Sequence, residues 1–126
     1  MKSAKNKTIP QLIKTAERHF NKFIRERDRD KPCISCGKYT KLQAGHFYSG
    51  GHYSALKFDE DNCHGQCLRC NYFLSGNLTL YENNMRARIG DERVEKLHFK
   101  AGVYKRQGYK WDRFFLLDVI EKYRSR

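Results

Sequence analysis

Two Cys-x2-Cys pairs, Cys33/Cys36 and Cys67/Cys70, stand 30 residues apart and constrain this chain more than any other feature. Four thiolates in two such pairs make the donor set of a closed, tetrahedral zinc site. An ion held by both pairs ties the ends of the intervening segment together. That segment must then leave and return to one point. Gly37, directly after the first pair, lets the backbone turn tightly around the sulfur. The alternative, two redox pairs, leaves the segment unstapled. Cys63 has the wrong spacing to Cys67 for a third pair and reads as a buried small residue or an ordinary thiol.

A staple matters because 126 residues leave room for one domain with extensions, and only 39% of them are hydrophobic. The core is thin, and small domains with thin cores gain from a metal. The formal net charge of +12 favours a polyanionic partner, since each Lys or Arg that meets a phosphate releases counterions. Nucleic acid is the first expectation and an acidic membrane surface the second. No apolar run is long enough to span a bilayer, and the basic stretch 1–7 has no signal-peptide apolar block after it. A cytoplasmic location follows as an expectation. Thiols stay reduced there, which favours zinc over disulfides.

Local patterns divide the chain into a basic tail and N-terminal helix (1–32), a zinc-bound core (33–100) and a basic C-terminal extension with a helix (101–126). Thr8 with Gln11 forms a capping box. Leu12, Ile13, Ala16, Phe20, Phe23 and Ile24 follow at helical spacing, and Pro32 bounds the helix. A strand is expected over 39–48, a glycine loop from Ser49, a returning strand over 55–58, and a polar loop over 59–66. A helix opens near residue 68 and breaks at Ser75-Gly76. The next helix starts after Asn77, its cap, carries Leu78, Tyr81, Met85 and Ile89, and ends at Gly90. A short helix spans 91–99, a basic loop 102–108, and a last helix 112–124 with Phe115, Leu116, Val119, Ile120 and Tyr123.

A zinc staple closing over a strand, a glycine loop and a second strand is a treble-clef layout. Within it lie His46, Asn62 and Asn71, the last directly after Cys70. This order and spacing resemble the HNH nuclease motif. The fold class expected is therefore α+β: a small zinc-stapled treble-clef, or ββα-metal, HNH core flanked by N- and C-terminal helices.

The resemblance narrows on five segments: Cys33-Ile34-Ser35-Cys36-Gly37, Ala44-Gly45-His46-Phe47, 61–67 with Asn62, His64 and Gln66, Cys70-Asn71 with Ser75-Gly76-Asn77, and 89–97. Together they cover about half the chain, and they resemble the phage NinG/Rap recombination endonucleases. The resemblance implies a structure-selective DNA endonuclease acting on branched recombination intermediates such as Holliday junctions.

Phosphodiester hydrolysis needs an activated water and charge neutralisation at the phosphate. His46 suits the general base. Asn62 suits a residue that orients it. Asn71 can offer a carbonyl oxygen to Mg²⁺ or Mn²⁺, with His46 itself a further ligand. The pattern departs at Gly45, where HNH enzymes usually carry Asp or His. His64 is the first substitute ligand; His52, Asn77 and Asp61 are weaker ones.

Plainer readings stand beside these. His46 can pack beside the knuckle, Asn62 can be a turn residue, Asn71 a helix-start hydrogen bonder, and His64 a loop residue or a thiolate partner. Lys105, Arg106, Lys110 and Arg113, interleaved with Tyr104, Tyr109 and Trp111, form a candidate DNA contact in which aromatics stack on unpaired bases, unless those aromatics pack on the core. Besides a nuclease, a zinc-stapled DNA-binding module without cleavage and a protein adaptor fit the sequence. The apolar row of the last helix is a candidate homodimer surface, which a cutter of two strands would use.

Overall fold

The computed structural model describes residues 6–107 and 111–124. It is a helix-rich α+β arrangement around one two-stranded sheet. Helix α1 (Ile9–Arg27) starts at Thr8, whose hydroxyl accepts from the Gln11 N–H while the Gln11 side chain accepts from the Thr8 N–H. The expected apolar stripe is its core face: Leu12, Ala16, Phe20 and Ile24 are fully buried. The helix stops at Arg27, before Pro32.

Strands β1 (Gln43–His46) and β2 (Cys63–Gln66) pair antiparallel, with Gly45 opposite His64 and His46 opposite Cys63. Two expectations are corrected here. The returning strand is not 55–58, which holds a short 3₁₀ turn at Ser54–Leu56. It is the segment read as a polar loop, and it is buried at all four positions. Polar side chains can line a buried strand only if partners satisfy them, and those partners lie far away in sequence. Asp28 accepts from the Gly65 N–H at 2.8 Å. Gln66 Nε2 donates to Ser35 Oγ at 2.9 Å and to the Gly76 carbonyl at 2.6 Å.

The second cysteine pair leads into a single π-helical turn (Arg69–Phe73). Ser75, Gly76 and Asn77 then take positive φ values, which end that turn. Helix α2 (Leu78–Ile89) follows and stops at Gly90. Asn77 precedes α2 but makes no side-chain cap; its amide donates to Cys70 Sγ at 3.5 Å instead. Helix α3 (Asp91–Gln107) runs well past residue 99. The stretch read as a loop from Gly102 is thus helical to Gln107, because Val94, Leu97 and Ala101 continue one buried stripe. Helix α4 (Arg113–Tyr123) is capped by Asp112, whose carboxylate accepts from the Phe115 N–H.

Two apolar clusters sit on either side of the hairpin. One joins α1, α4, Phe58 and Cys63; the other joins α2, α3, Ile34 and Leu56. Leu116, Val119, Ile120 and Tyr123 are buried against α1. The apolar row of α4 is therefore internal and not a free dimer face. No described helix is long and apolar enough to cross a membrane.

Candidate functional site

The four cysteines converge as their spacing requires. Cys33, Cys36, Cys67 and Cys70 place all four sulfurs within 4.8 Å of one another, the only such group of metal-ligating side chains among the described residues. Zinc–thiolate bonds of about 2.3 Å put the sulfurs of a tetrahedral site about 3.8 Å apart, and Cys36 Sγ lies 3.7 Å from Cys67 Sγ. Backbone N–H groups of Cys36 and Cys67 donate to Cys33 Sγ, and that of Cys70 to Cys67 Sγ. Burial pushes the Cys33 thiol up, but these donors outweigh burial and bring it down to about 7. The cluster fits a metal such as zinc. Cys63 lies apart in the apolar core, and burial there holds its thiol protonated.

His46 ends β1. Its Nε2 donates to the Lys57 carbonyl at 2.7 Å, so the neutral ring keeps its lone pair on Nδ1, 3.8 Å from the Cys63 thiol. Burial lowers its pKa below the ordinary imidazole value, and the Lys57 carbonyl offsets this only in part. The imidazole is neutral at pH 7.

Asn62 is fully buried and acts on the loop between the strands. Its Oδ1 accepts from the Tyr48 N–H at 2.8 Å, and its Nδ2 donates to the carbonyls of Tyr48 and Leu56. It does not touch His46. It fixes Leu56, the residue before the Lys57 carbonyl that holds the ring.

Asn71 sits on the π-helical turn, where Nδ2 donates to Gln43 Oε1 at 2.9 Å. Asn71 and His46 line one open cleft of about 630 Å³, together with Tyr48, Ser49, Tyr53 and Ser75. No carboxylate lines it. Lys105 does not line it, but its Nζ lies 5.4 Å from the centre of the ring of Tyr53, which does.

His64 is elsewhere. It pairs with Gly45, so it faces the side of the hairpin opposite His46. Nδ1 lies 3.2 Å from the Tyr81 hydroxyl, which donates to the Gly45 carbonyl at 2.6 Å. His64 lines a smaller pocket with Arg27, Lys31, Arg88 and Arg93. Burial, then Arg27, lowers its pKa to about 3. It does not complete a cage at the cleft. Nor do the weaker substitutes: His52 Nδ1 pairs with Ser49 Oγ, Asp61 is bound by Arg93, and Asn77 serves Cys70.

The structure also explains Gly45. A Cβ there would lie 2.1 Å from Gln66 Oε1 and 2.8 Å from Gln66 Cβ. Gln66 occupies the space a side chain at 45 would need. Its buried Oε1 has no hydrogen-bond partner among the described residues. Sequence reading missed Gln66 and Asp28, because neither carries a local pattern; their importance lies in partners more than 30 residues away, Ser35 and Gly65.

Of the C-terminal basic residues, Lys105 is exposed and Arg113 half-buried. Lys110, Tyr109 and the side chain of Arg106 lie outside the described residues. Tyr104 packs on the α2–α3 cluster and Trp111 on Phe58, so these two aromatics serve the core.

The family model described as Bacteriophage Lambda NinG protein matches residues 1–125. The chain is 49% identical over 87 residues to protein ninG of Escherichia phage 933W, a stretch covering 68% of this chain and 43% of that protein. The proteins ninG of Escherichia phage lambda and Salmonella phage P22 are each 48% identical over 87 residues, with the same shares covered. The match thus spans less than half the length of these relatives. No solved structure matches the chain. A family match over nearly every residue establishes that the chain belongs to the bacteriophage NinG family.

Proposed function

We propose that this chain is an HNH-type DNA endonuclease built on a zinc-stapled treble clef, with His46 as general base. One observation carries the reading: His46 and Asn71, 25 positions apart in sequence, line a single cleft in which burial keeps the imidazole neutral and the Lys57 carbonyl fixes its tautomer. The Asn62 ladder fixes the loop that supplies that carbonyl. The net charge of +12 suits a DNA ligand, and Lys105, over the ring of the cleft-lining Tyr53, suits one of its phosphates.

In hydrolysis, His46 takes a proton from water. The hydroxide bonds to phosphorus, and the ester bond to the leaving oxygen breaks. A divalent ion such as Mg²⁺ or Mn²⁺, when bound, supplies positive charge at the phosphate and the leaving oxygen. The cleft offers this ion the Asn71 carboxamide oxygen and, among the described residues, no carboxylate. The one lone pair of the neutral His46 ring, on Nδ1, is taken by its role as base and is not also a ligand in that step. Such a site fits an ion that arrives with the DNA phosphate, not one caged by the protein alone. Selectivity for branched DNA such as Holliday junctions belongs to the same proposal and rests on the family resemblance.

The missing carboxylate favours a second reading, a DNA-binding module that does not cut. Plasmid nicking with Mn²⁺ separates the two. His46→Ala should slow nicking about 10²–10⁴-fold while zinc content and DNA affinity stay near wild type. Asn71→Ala should raise the Mn²⁺ concentration needed. Nicking by His46→Ala at the wild-type rate, or its absence from the wild type, returns the chain to the binding-module reading.

A further inference from the structure

A second groove of about 670 Å³ is lined by Gln43, whose side chain accepts from Asn71 of the cleft. Lys38, Lys41 and Arg69 line it together with Leu68 and Leu74, and all five are exposed. The same π-helical turn that carries Asn71 also carries Tyr72 and Phe73, which are 73% and 67% exposed. Their rings meet edge to face at 5.1 Å. Large aromatics side by side in water, on the same turn as Arg69 and flanked in sequence by groove residues Cys70 and Leu74, do not serve the core of this chain. Tyr104 and Trp111 do serve it, so these two do not supply the stacking surface expected there.

We infer that the groove and the Tyr72/Phe73 pair form a platform for unpaired bases of a DNA strand whose phosphate lies in the His46 cleft. The occupant follows from the chemistry. Cations spaced along a groove track a phosphate backbone, and exposed rings beside it take the flat faces of bases irrespective of sequence. Paired bases keep their faces inside the duplex, so the platform distinguishes open or branched DNA from linear duplex. Asn71 and the platform share one turn, so binding of an unpaired base positions the neighbouring phosphate at His46. This inference deepens the nuclease reading and rests on it.

The test uses the full chain, with EDTA absent and Ca²⁺ in place of Mn²⁺. The probes are a single-stranded oligonucleotide, a forked duplex and a linear duplex, the first two with 2-aminopurine at the open positions. The double variant Tyr72→Ala/Phe73→Ala should lose roughly 5- to 150-fold in affinity for the single strand and the fork per stacked base. Its affinity for linear duplex and its zinc content should not change. Arg69→Ala should lower the salt slope for the single strand instead. Wild-type-like binding and 2-aminopurine quenching in the double variant would overturn the platform. So would concentration-dependent self-association of the wild type that the double variant abolishes, since a second copy would then cover the patch. Nicking of plasmid with Mn²⁺ is read separately. Quenching without nicking removes the nuclease reading but supports the platform, whereas nicking without quenching does the reverse.

Discussion

Asp28 is fully buried, and its carboxylate stands between the Gly65 N–H and the Arg27 guanidinium, with Lys31 at 3.6 Å. Burial pushes its pKa up, but Arg27 and the Gly65 N–H outweigh burial and hold it at about 2. A depressed carboxylate contributes stability above its ordinary pKa, and this is lost as pH falls toward about 2. His64 acts in an earlier window. The unfolded chain takes a proton on this ring from about pH 6.5 downward, while the folded chain resists until about 3. His46 is depressed in the same direction. Stability should therefore fall as pH drops from about 6.5 toward 3. Urea unfolding across that range would show it, and His64→Gln should flatten the slope. An unchanged slope in that variant would assign the acid loss to His46 and to protonation of the clustered cysteine thiolates.

At the scale of elements, the hairpin is set by what crosses it. Gly45 and Gln66 come from opposite strands and compete for one volume. Gly45→Ala should cost about 1–3 kcal/mol, the usual price of overpacking. In a Gln66→Ala background the same substitution should cost less, because Oε1 and Cδ, two of the three atoms it meets, are gone and only Cβ remains. Thermal unfolding of the two single variants and the double variant measures this coupling. Equal costs in both backgrounds would mean that the Gln66 side chain does not occupy the space beside Gly45. Period-two alternation then decides which residues can work together. His46 and Cys63 share one face, Gly45 and His64 the other. A ligand search along the sequence has no access to that division, because it depends on which strand pairs with which.

For the whole molecule, the four-cysteine cluster, packed with Leu42, ties the segment before β1 to the turn that follows β2. Metal binding here is folding energy, since the unfolded chain holds no site. Cys67→Ser should release the metal and lower the melting temperature, with one zinc equivalent lost per chain by metal analysis. Cys63→Ser should keep full zinc content, because that thiol sits in the core at a distance from the cluster. Normal melting of a metal-free chain would show that the cluster is not a staple. Helices α1 and α4 close one side of the structure. Helix α4 packs on α1 and hydrogen-bonds across to Glu60 through the Tyr123 hydroxyl at 2.7 Å. Its apolar residues, read from sequence as an outer face, thus complete the core.

Sequence alone determined what depends on near neighbours. The metal donor set follows from spacing within each pair, the start of α1 from a reciprocal cap four residues long, and the limits of α2 from Asn77 and Gly90. The buried face of α1 follows from helical periodicity; the apolar row of α4 is just as regular, but only its packing on α1 decides that it faces inward. What required the tertiary structure is every feature whose partners are distant. Strand β2 reads as a loop because Cys63-His64-Gly65-Gln66 has no apolar alternation. It is a buried strand because Asp28, Ser35 and Gly76 meet its polar groups. Helix α3 runs through Gly102 because packing along Val94, Leu97 and Ala101 outweighs a local cost of about 1 kcal/mol. The separation of His64 from the His46–Asn71 cleft was decided the same way. Register assigns a side chain to a face, and register is set by contacts that the local sequence does not contain.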